Sequence, residues 1–138
     1  KLEQELIFNT LRTYEHERNI SLDISSYSDG NSFLNTYVPG DFDLIFMDAA
    51  KGQYIHFMPD ILRLLKTGGT LVSDNVLQDG DIIESHYAVI RRNRTIYKRM
   101  REYLYELTHR KDLVTAVLPV GDGITVSTKV EVENDEKE

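Results

Sequence analysis

The chain has 138 residues, of which 41% are hydrophobic and 28% charged, and its formal net charge is −7. These values are typical of one globular domain, and a chain of this length buries roughly two thirds of its unfolded surface, which is enough for a core without cross-links. The absence of cysteine excludes disulfides, thiolate metal sites, cysteine nucleophiles and iron–sulfur clusters. It is compatible with a reducing compartment, and we expect the cytoplasm. No apolar run approaches the ~20 residues of a membrane-spanning helix.

Helical and extended patterns alternate along the chain, which favours a mostly parallel sheet with crossover helices. The first predicted helix covers residues 3–18. Apolar–polar alternation then predicts a short, half-buried strand over residues 20–24. A turn at residues 29–31 leads into a short helix over residues 32–37.

The middle of the chain predicts two buried strands separated by a helix. Four apolar residues stand between two aspartates in residues 43–48, a pattern typical of a strand buried on both faces. A helix over residues 54–66 follows, ended by two glycines, with Pro59 near its first turn. Residues 70–73 predict the second strand.

The last third of the chain predicts a long helix and a hairpin. After a polar loop over residues 78–85, the helix reaches about His109, and its apolar side chains are expected in the core or at a dimer contact: Val89, Ile96, Met100, Tyr103, Leu104 and Leu107. Residues 114–120 and 124–130 flank a Gly-Asp-Gly turn and predict an antiparallel hairpin at the sheet edge. Four tyrosines are candidates for an exposed dimer surface: Tyr87, Tyr97, Tyr103 and Tyr105.

Oxygen-bearing side chains follow two of the predicted strands. In open α/β sheets, ligands bind outside the carboxyl ends of the strands. Asp48 follows one strand, and Asp74 and Asn75 follow the next. Two carboxylates and an amide oxygen form a hard donor set that suits Mg²⁺ or Ca²⁺, although a lone aspartate at a strand end is more often a helix cap. The spacing of the four histidines does not indicate zinc.

Lys51 lies three residues past Asp48 and would start the loop or helix beside the same site. There it could take a proton from a substrate hydroxyl. The alternative interpretation is a lysine that only contacts solvent.

Six basic residues fall within eleven positions near the start of the long helix, and they are Arg91, Arg92, Arg94, Lys98, Arg99 and Arg101. Two interpretations stay open for this basic stretch. One is a solvated helix face. The other is a patch for phosphates, either of RNA or of a substrate with a nucleotide tail.

The strand over residues 43–48 is also similar to the phosphoacceptor strand of response-regulator receiver domains. That fold needs an acidic pair at the end of an earlier strand and a lysine at the end of a later one. Residues 20–24 lead into serines, and no lysine closes residues 70–73 or 114–120. The receiver interpretation is therefore not supported.

Three motifs together resemble the cation-dependent O-methyltransferases, the family of catechol and caffeoyl-CoA O-methyltransferases and their bacterial relatives. The motifs are FDLIFMDAAKGQY at residues 42–54, LKTGGTLVSDNVL at residues 65–77 and LPVGDGITVS at residues 118–127. The resemblance implies an α/β fold, the Rossmann-like sheet of S-adenosylmethionine-dependent methyltransferases, here partial and ending in an antiparallel hairpin.

The resemblance also implies roles for individual residues. Asp48, Asp74 and Asn75 match the protein ligands of the divalent metal, such as Mg²⁺, and Lys51 matches the catalytic lysine. Asp48 and, more weakly, Ser26 match contacts of S-adenosylmethionine. Methyl transfer to a hydroxyl beside a second oxygen is implied, because a metal can chelate both oxygens.

The partners implied by the family are a small hydroxylated substrate or tRNA, and a second copy of the chain in a homodimer, with no membrane. Some bacterial members methylate 5-hydroxyuridine in tRNA. The basic stretch favours this branch over small catechols.

Two features of the family have no counterpart in these residues: the glycine-rich turn after the first strand and the acidic residue that binds the cofactor ribose. In the family the sheet order is 3-2-1-4-5-7-6, and this chain would supply the third to seventh strands, which leaves residues 43–48 with an open edge. We therefore expect residues 1–130 to be the C-terminal part of a methyltransferase domain, followed by a disordered acidic tail over residues 131–138. The alternative is a non-catalytic fragment or scaffold that keeps the predicted metal ligands but cannot bind the methyl donor alone.

Overall fold

The computed structural model of the protein describes residues 2–77 and 94–132. The chain divides into two compact units, Lys1–Phe33 and Leu34–Glu138. Among the described residues, no helix is long and apolar enough to cross a membrane. The predicted acidic tail lies outside the described residues from position 133 onward.

Helix α1 spans Leu2–Arg18, close to the predicted helix over residues 3–18. It ends where Asn19 adopts a left-handed φ of 52°. The backbone N–H of Ile20 then bonds back to the carbonyl of Glu15 at 3.1 Å. This is the common way of ending a helix, with asparagine in place of glycine at the left-handed position.

The strand predicted over residues 20–24 is not formed, and residues 20–27 have no regular secondary structure. The alternation that suggested a strand is present in the burial, because Leu22 and Ile24 are half-buried while Ser21 and Asp23 are exposed. A strand also needs a partner for its backbone groups. Here the N–H of Leu22 donates to the Glu15 carboxylate instead.

Helix α2, Gly30–Thr36, starts two residues before the predicted helix because Asp29 caps it. The Asp29 carboxylate accepts hydrogen bonds from the backbone N–H of Ser32 at 2.8 Å and from its hydroxyl at 2.7 Å. These bonds, the backbone one foremost, lower the pKa of Asp29.

The second unit holds a sheet with the strand order β1-β2-β4-β3. Its elements in chain order are β1 (Phe42–Met47), a 3₁₀ turn (Lys51–Gln53), α3 (Tyr54–Leu64), β2 (Leu65–Ser73), α4 (Arg94–His109), β3 (Leu113–Leu118) and β4 (Ile124–Lys129). Strands β1 and β2 are parallel, whereas β4 is antiparallel to both β2 and β3. This order corresponds to the 4-5-7-6 end of the expected sheet, and the predicted C-terminal hairpin is confirmed.

The boundary between α3 and β2 differs from the prediction. Helix α3 ends at Leu64 and β2 begins at Leu65, so the two glycines lie within the strand rather than at a helix end. The pairing of β1 with β2 shifts register here. A Cβ on Gly69 would lie 2.9 Å from the backbone carbonyl oxygen of Lys66, so the irregularity requires glycine. Pro59, predicted in the first turn of α3, lies in its second turn.

Lys129 on β4 caps the end of α3. Its ammonium group donates to the carbonyls of Leu62 at 2.7 Å and Leu65 at 2.8 Å. The last carbonyls of a helix have no partner within the helix, and a cation placed there satisfies them.

The core lies between one face of the sheet and helices α3 and α4. Its largest fully buried side chains are Tyr54, Leu64, Leu65, Leu71, Val76, Met100, Tyr103 and Leu107. The prediction that residues 43–48 are buried on both faces is wrong, because Leu44 and Phe46 are 58% and 59% exposed. Helices α3 and α4 both contribute to a single core cluster. Met47 belongs to this cluster and lies on the face of β1 opposite to Leu44 and Phe46.

Helix α4 is described from Arg94 onward, so Val89, Tyr87 and the predicted start of the helix lie outside the described residues. Met100, Tyr103 and Leu107 are buried as predicted. Tyr97 and Tyr103 do not form an exposed surface, since they are only 3% and 0% exposed, whereas Tyr105 is 59% exposed.

Candidate functional site

The carboxyl ends of β1 and β2 lie side by side. Met47, the last residue of β1, pairs in register with Ser73, the last residue of β2. The backbone N–H of Asp74 donates to the carbonyl of Met47 at 3.1 Å, so the strand ends stay joined beyond the ladder. Asp48 is exposed and Asp74 half-buried. The structure thus brings Asp48 and Asp74 to one edge, and their role as metal ligands stays a prediction.

Tyr54, the first residue of α3, contacts both strand ends, although the sequence analysis assigned it no role. Its hydroxyl accepts the backbone N–H of Ala49 at 3.2 Å. Two carbonyls lie within reach of its proton, that of Asp74 at 3.1 Å and that of Met47 at 3.3 Å. Burial raises the pKa of Tyr54, and the charges of Asp48 and Asp74 raise it further, so the hydroxyl keeps its proton.

Asn75 is held by the turn between β3 and β4. Its backbone takes a left-handed φ of 52°, a conformation that asparagine tolerates better than most residues. Its side-chain amide nitrogen donates to the carboxylate of Asp122 at 3.0 Å. The amide nitrogen is therefore directed at Asp122. The amide oxygen remains available to accept a hydrogen bond or to coordinate a cation. Asp122, like Tyr54, has a contact at this site that the local sequence does not predict.

Lys51 is the first residue of the 3₁₀ turn and is half-buried. The next residue, Gly52, is held by α4, because the guanidinium of Arg99 donates to the Gly52 carbonyl at 3.1 Å. An added Cβ on Gly52 would lie 3.6 Å from the Arg99 guanidinium, so the turn packs directly on this side chain. Arg99 fixes the backbone beside Lys51.

Ser26 lies in the first unit, in the segment without regular secondary structure, and is exposed. The other predicted site residues lie in the second unit. The proposed contact of Ser26 with a cofactor stays a prediction.

The donor chemistry of the second unit fits a divalent cation. Asp48, Asp74 and the amide oxygen of Asn75 are hard oxygen donors, the type that Mg²⁺ and similar ions prefer. Within residues 2–77 and 94–132, no three histidine, aspartate or glutamate side chains come together as a metal-binding group. The predicted set therefore depends on two carboxylates and one amide, with other coordination positions left to water or substrate.

Part of the basic stretch contacts this chain itself. Besides the bond from Arg99 to Gly52, the guanidinium of Arg101 donates to the Tyr97 hydroxyl at 2.6 Å and lies over its ring. Lys98 is exposed, and Arg94 is half-buried. Arg91 and Arg92 lie outside the described residues.

A family model described as O-methyltransferase matches residues 13–130 of this sequence. The chain belongs to this family. The resemblance to the cation-dependent O-methyltransferases is thereby confirmed, and the α/β architecture is the partial Rossmann-like sheet that it implied.

Individual relatives agree with this assignment. The chain is 32% identical over 97 residues to a caffeoyl-CoA O-methyltransferase of Eucalyptus gunnii, an alignment that covers 67% of this chain and 38% of that protein. It resembles the crystal structure of a Staphylococcus aureus protein assigned as a caffeoyl-CoA O-methyltransferase, with a TM-score of 0.65 and 28% identity over 88% of this chain and 56% of that one.

An SAH-bound methyltransferase of Podospora anserina has the same fold, with a TM-score of 0.64 and 23% identity over 87% of this chain and 55% of that one. The chain thus spans about two fifths of the curated relative and just over half of the solved structures that it matches.

Proposed function

We propose that the protein carrying this chain is an S-adenosylmethionine- and divalent-metal-dependent O-methyltransferase. One observation carries the proposal. The hydrogen bond from the Asp74 N–H to the Met47 carbonyl joins the two strand ends that Asp48 and Asp74 follow. The family match supports the reaction class. The acceptor is a hydroxyl with a second oxygen beside it.

In this proposal Asp48, Asp74 and Asn75 hold the metal and Lys51 handles the proton. When bound, the metal supplies a positive charge that orients two neighbouring acceptor oxygens and makes the hydroxyl more acidic. Lys51, acting as the uncharged amine, accepts the hydroxyl proton at Nζ and becomes the ammonium ion. The half-buried position of Lys51, on a turn fixed by Arg99, suits this role because a positioned base acts over hydrogen-bond distance.

The cofactor proposal rests on the family and on the exposed side chain of Asp48. The Podospora anserina protein of the same fold is SAH-bound, and SAH is what S-adenosylmethionine becomes after it gives up its methyl group. Asp48 is exposed and can hydrogen-bond to a ligand. When bound, the cofactor supplies a methyl group on a sulfonium, and catalysis then depends largely on placing that methyl against the acceptor oxygen.

The first candidate for the methyl acceptor is a small molecule with two neighbouring oxygens. The Eucalyptus gunnii relative is a caffeoyl-CoA O-methyltransferase, which names a substrate of this kind with a nucleotide tail. The exposed Lys98 is one basic residue that could meet phosphates of such a tail.

A tRNA bearing 5-hydroxyuridine is the second candidate, supported by the clustering of six basic residues between positions 91 and 101. The contacts of Arg99 and Arg101 within the chain reduce that support, since these side chains are engaged in the fold. Methyl transfer to both acceptors, measured side by side with isotopically labelled cofactor, distinguishes them. Charge reversal at Arg91 and Arg94 should reduce transfer to tRNA and not transfer to a free catechol.

Calorimetric titration of S-adenosylmethionine into the full-length protein, with and without Mg²⁺, tests the proposal against the scaffold alternative. We expect saturable binding and, with Mg²⁺ and a catechol-type acceptor, methyl transfer. Absence of cofactor binding under both conditions would contradict the enzyme proposal and favour a scaffold.

A further inference from the structure

We infer that Tyr54 is a positioning residue whose hydroxyl fixes the spacing between the two strand ends that carry Asp48 and Asp74. The inference rests on the proposed function, because it assigns Tyr54 a part in holding the proposed metal ligands. Tyr54 itself contacts neither ligand side chain through any of its hydroxyl bonds; all three partners are backbone atoms.

The position of these partners gives the hydroxyl its effect. The carbonyl of Met47 precedes Asp48, and the N–H of Ala49 follows it, so the hydroxyl holds the backbone on both sides of this aspartate. The third partner, the Asp74 carbonyl, belongs to the second ligand residue. One atom therefore links both segments, and the hydrogen bond from the Asp74 N–H to Met47 is their direct connection.

Burial holds the Tyr54 side chain in one position. The Tyr54 side chain is fully buried, and its ring packs edge-to-face against Tyr103 at a centroid distance of 5.4 Å. The ring therefore has little freedom, and the hydroxyl is directed out of the core at the strand ends. Removing it would leave one buried and two partly buried backbone groups without that partner, and the exposed segment around Asp48 would gain freedom.

Tyr103 provides a matched control. It is also fully buried, and its hydroxyl lies 2.6 Å from the hydroxyl of Ser73 within the same core. Tyr103→Phe removes one buried hydrogen bond in contact with Tyr54, but none at Met47, Ala49 or Asp74. A merely structural role for Tyr54 would make the two Phe variants alike in every property except the size of their stability loss.

The test measures Mn²⁺ affinity of the full-length protein by electron paramagnetic resonance of the free ion, with thermal unfolding of the metal-free protein alongside. We expect Tyr54→Phe to weaken Mn²⁺ binding about tenfold or more, as supporting residues around metal sites do, and Tyr103→Phe to leave it within about twofold. Mn²⁺ affinity of Tyr54→Phe within about twofold of wild type would overturn the inference, as would equal weakening in both variants.

Two further measurements keep the outcome unambiguous. Asp74→Ala should abolish tight Mn²⁺ binding; if it does not, the proposed metal site itself is wrong, whereas loss in Asp74→Ala with no change in Tyr54→Phe overturns the Tyr54 inference alone. Amide hydrogen exchange of the wild-type protein needs no variant to fold. The Ala49 N–H should exchange slowly because it is bonded to Tyr54, and exchange at the rate of an unprotected amide would overturn the inference.

Discussion

The side-chain amide of Asn75 donates to the carboxylate of Asp122 at 3.0 Å and so ties the end of β2 to a turn 47 residues later in the chain. Two backbone bonds hold the same turn in place, from Val76 to the Gly123 carbonyl at 2.9 Å and from Leu77 to the Asp122 carbonyl at 2.8 Å. The orientation of the Asn75 amide is thus set by the hairpin rather than by β2, the strand that precedes it.

Asp122→Ala should therefore weaken Mg²⁺ binding by about tenfold, because the freed amide can turn its nitrogen toward the cation. Calorimetry of the full-length protein measures the affinity. Asp112→Ala, at the other end of β3, serves as the control and should bind Mg²⁺ as wild type does. Unchanged affinity in Asp122→Ala would show that Asn75 does not need this partner.

Gly123→Ala should destabilise the fold more than Gly121→Ala. Both glycines have left-handed φ values, of 85° and 55°, so alanine costs about 1 kcal/mol at either position. At Gly123 the new Cβ would also clash with the side chain of Leu77, whereas at Gly121 nothing lies within 4 Å. We expect a further loss of about 1–3 kcal/mol for Gly123→Ala in the free energy of unfolding by denaturant. Equal losses would indicate that Leu77 moves aside freely.

Lys129→Met should lower the free energy of unfolding by about 1–2 kcal/mol, since the two carbonyls at the end of α3 lose a charged donor. Lys111→Met replaces an exposed lysine of the loop before β3 and should change stability by less than about 0.5 kcal/mol. Urea unfolding of both variants checks the difference. A loss in Lys129→Met no larger than in the control would exclude the capping role.

The pair Arg110–Asp112 predicts a pH dependence of stability. The guanidinium donates to both carboxylate oxygens at 2.7 Å and lowers the pKa of Asp112. A lowered carboxylate pKa adds stability above the unfolded value of about 3.9, and this is lost as the pH falls through the folded value. Because the pair is partly exposed, we expect Asp112→Asn to cost about 0.5 kcal/mol at neutral pH, and this difference should shrink as the pH falls below about 3.9. A constant difference across that range would contradict this origin.

The strands of the second unit could be predicted because their signals are local. The apolar run of residues 43–48 and the Gly-Asp-Gly turn at residues 121–123 each specify an element through neighbouring residues. Residues 20–24 show the limit of this reasoning, since their alternation matches a strand but pairing depends on another segment. The exposure of Leu44 and Phe46 likewise depends on what packs on the second face of β1.

The supporting residues of the site could not be predicted, because their contacts depend on segments that are distant in the sequence or on backbone atoms. Asp122 lies 47 positions from Asn75, and Arg99 lies 47 positions from Gly52. Tyr54 is close in sequence to Asp48, but its hydroxyl acts on backbone atoms, which no side-chain pattern shows. The sequence allows Tyr103 both a core position and an exposed dimer surface, because tyrosine occurs on buried and exposed helix faces. Tyr103 and Tyr97 are both buried.

The most direct test of the central claim is methyl transfer from S-adenosylmethionine to a catechol-type acceptor by the full-length protein, compared with and without Mg²⁺. Asp74→Ala removes a proposed ligand at the carboxyl end of β2, and Asp43→Ala removes an exposed aspartate near the opposite end of β1 as the control. The account predicts Mg²⁺-dependent transfer in wild type and Asp43→Ala, and loss of at least about a hundredfold in Asp74→Ala. Transfer that persists in Asp74→Ala, with the same dependence on Mg²⁺, would contradict it.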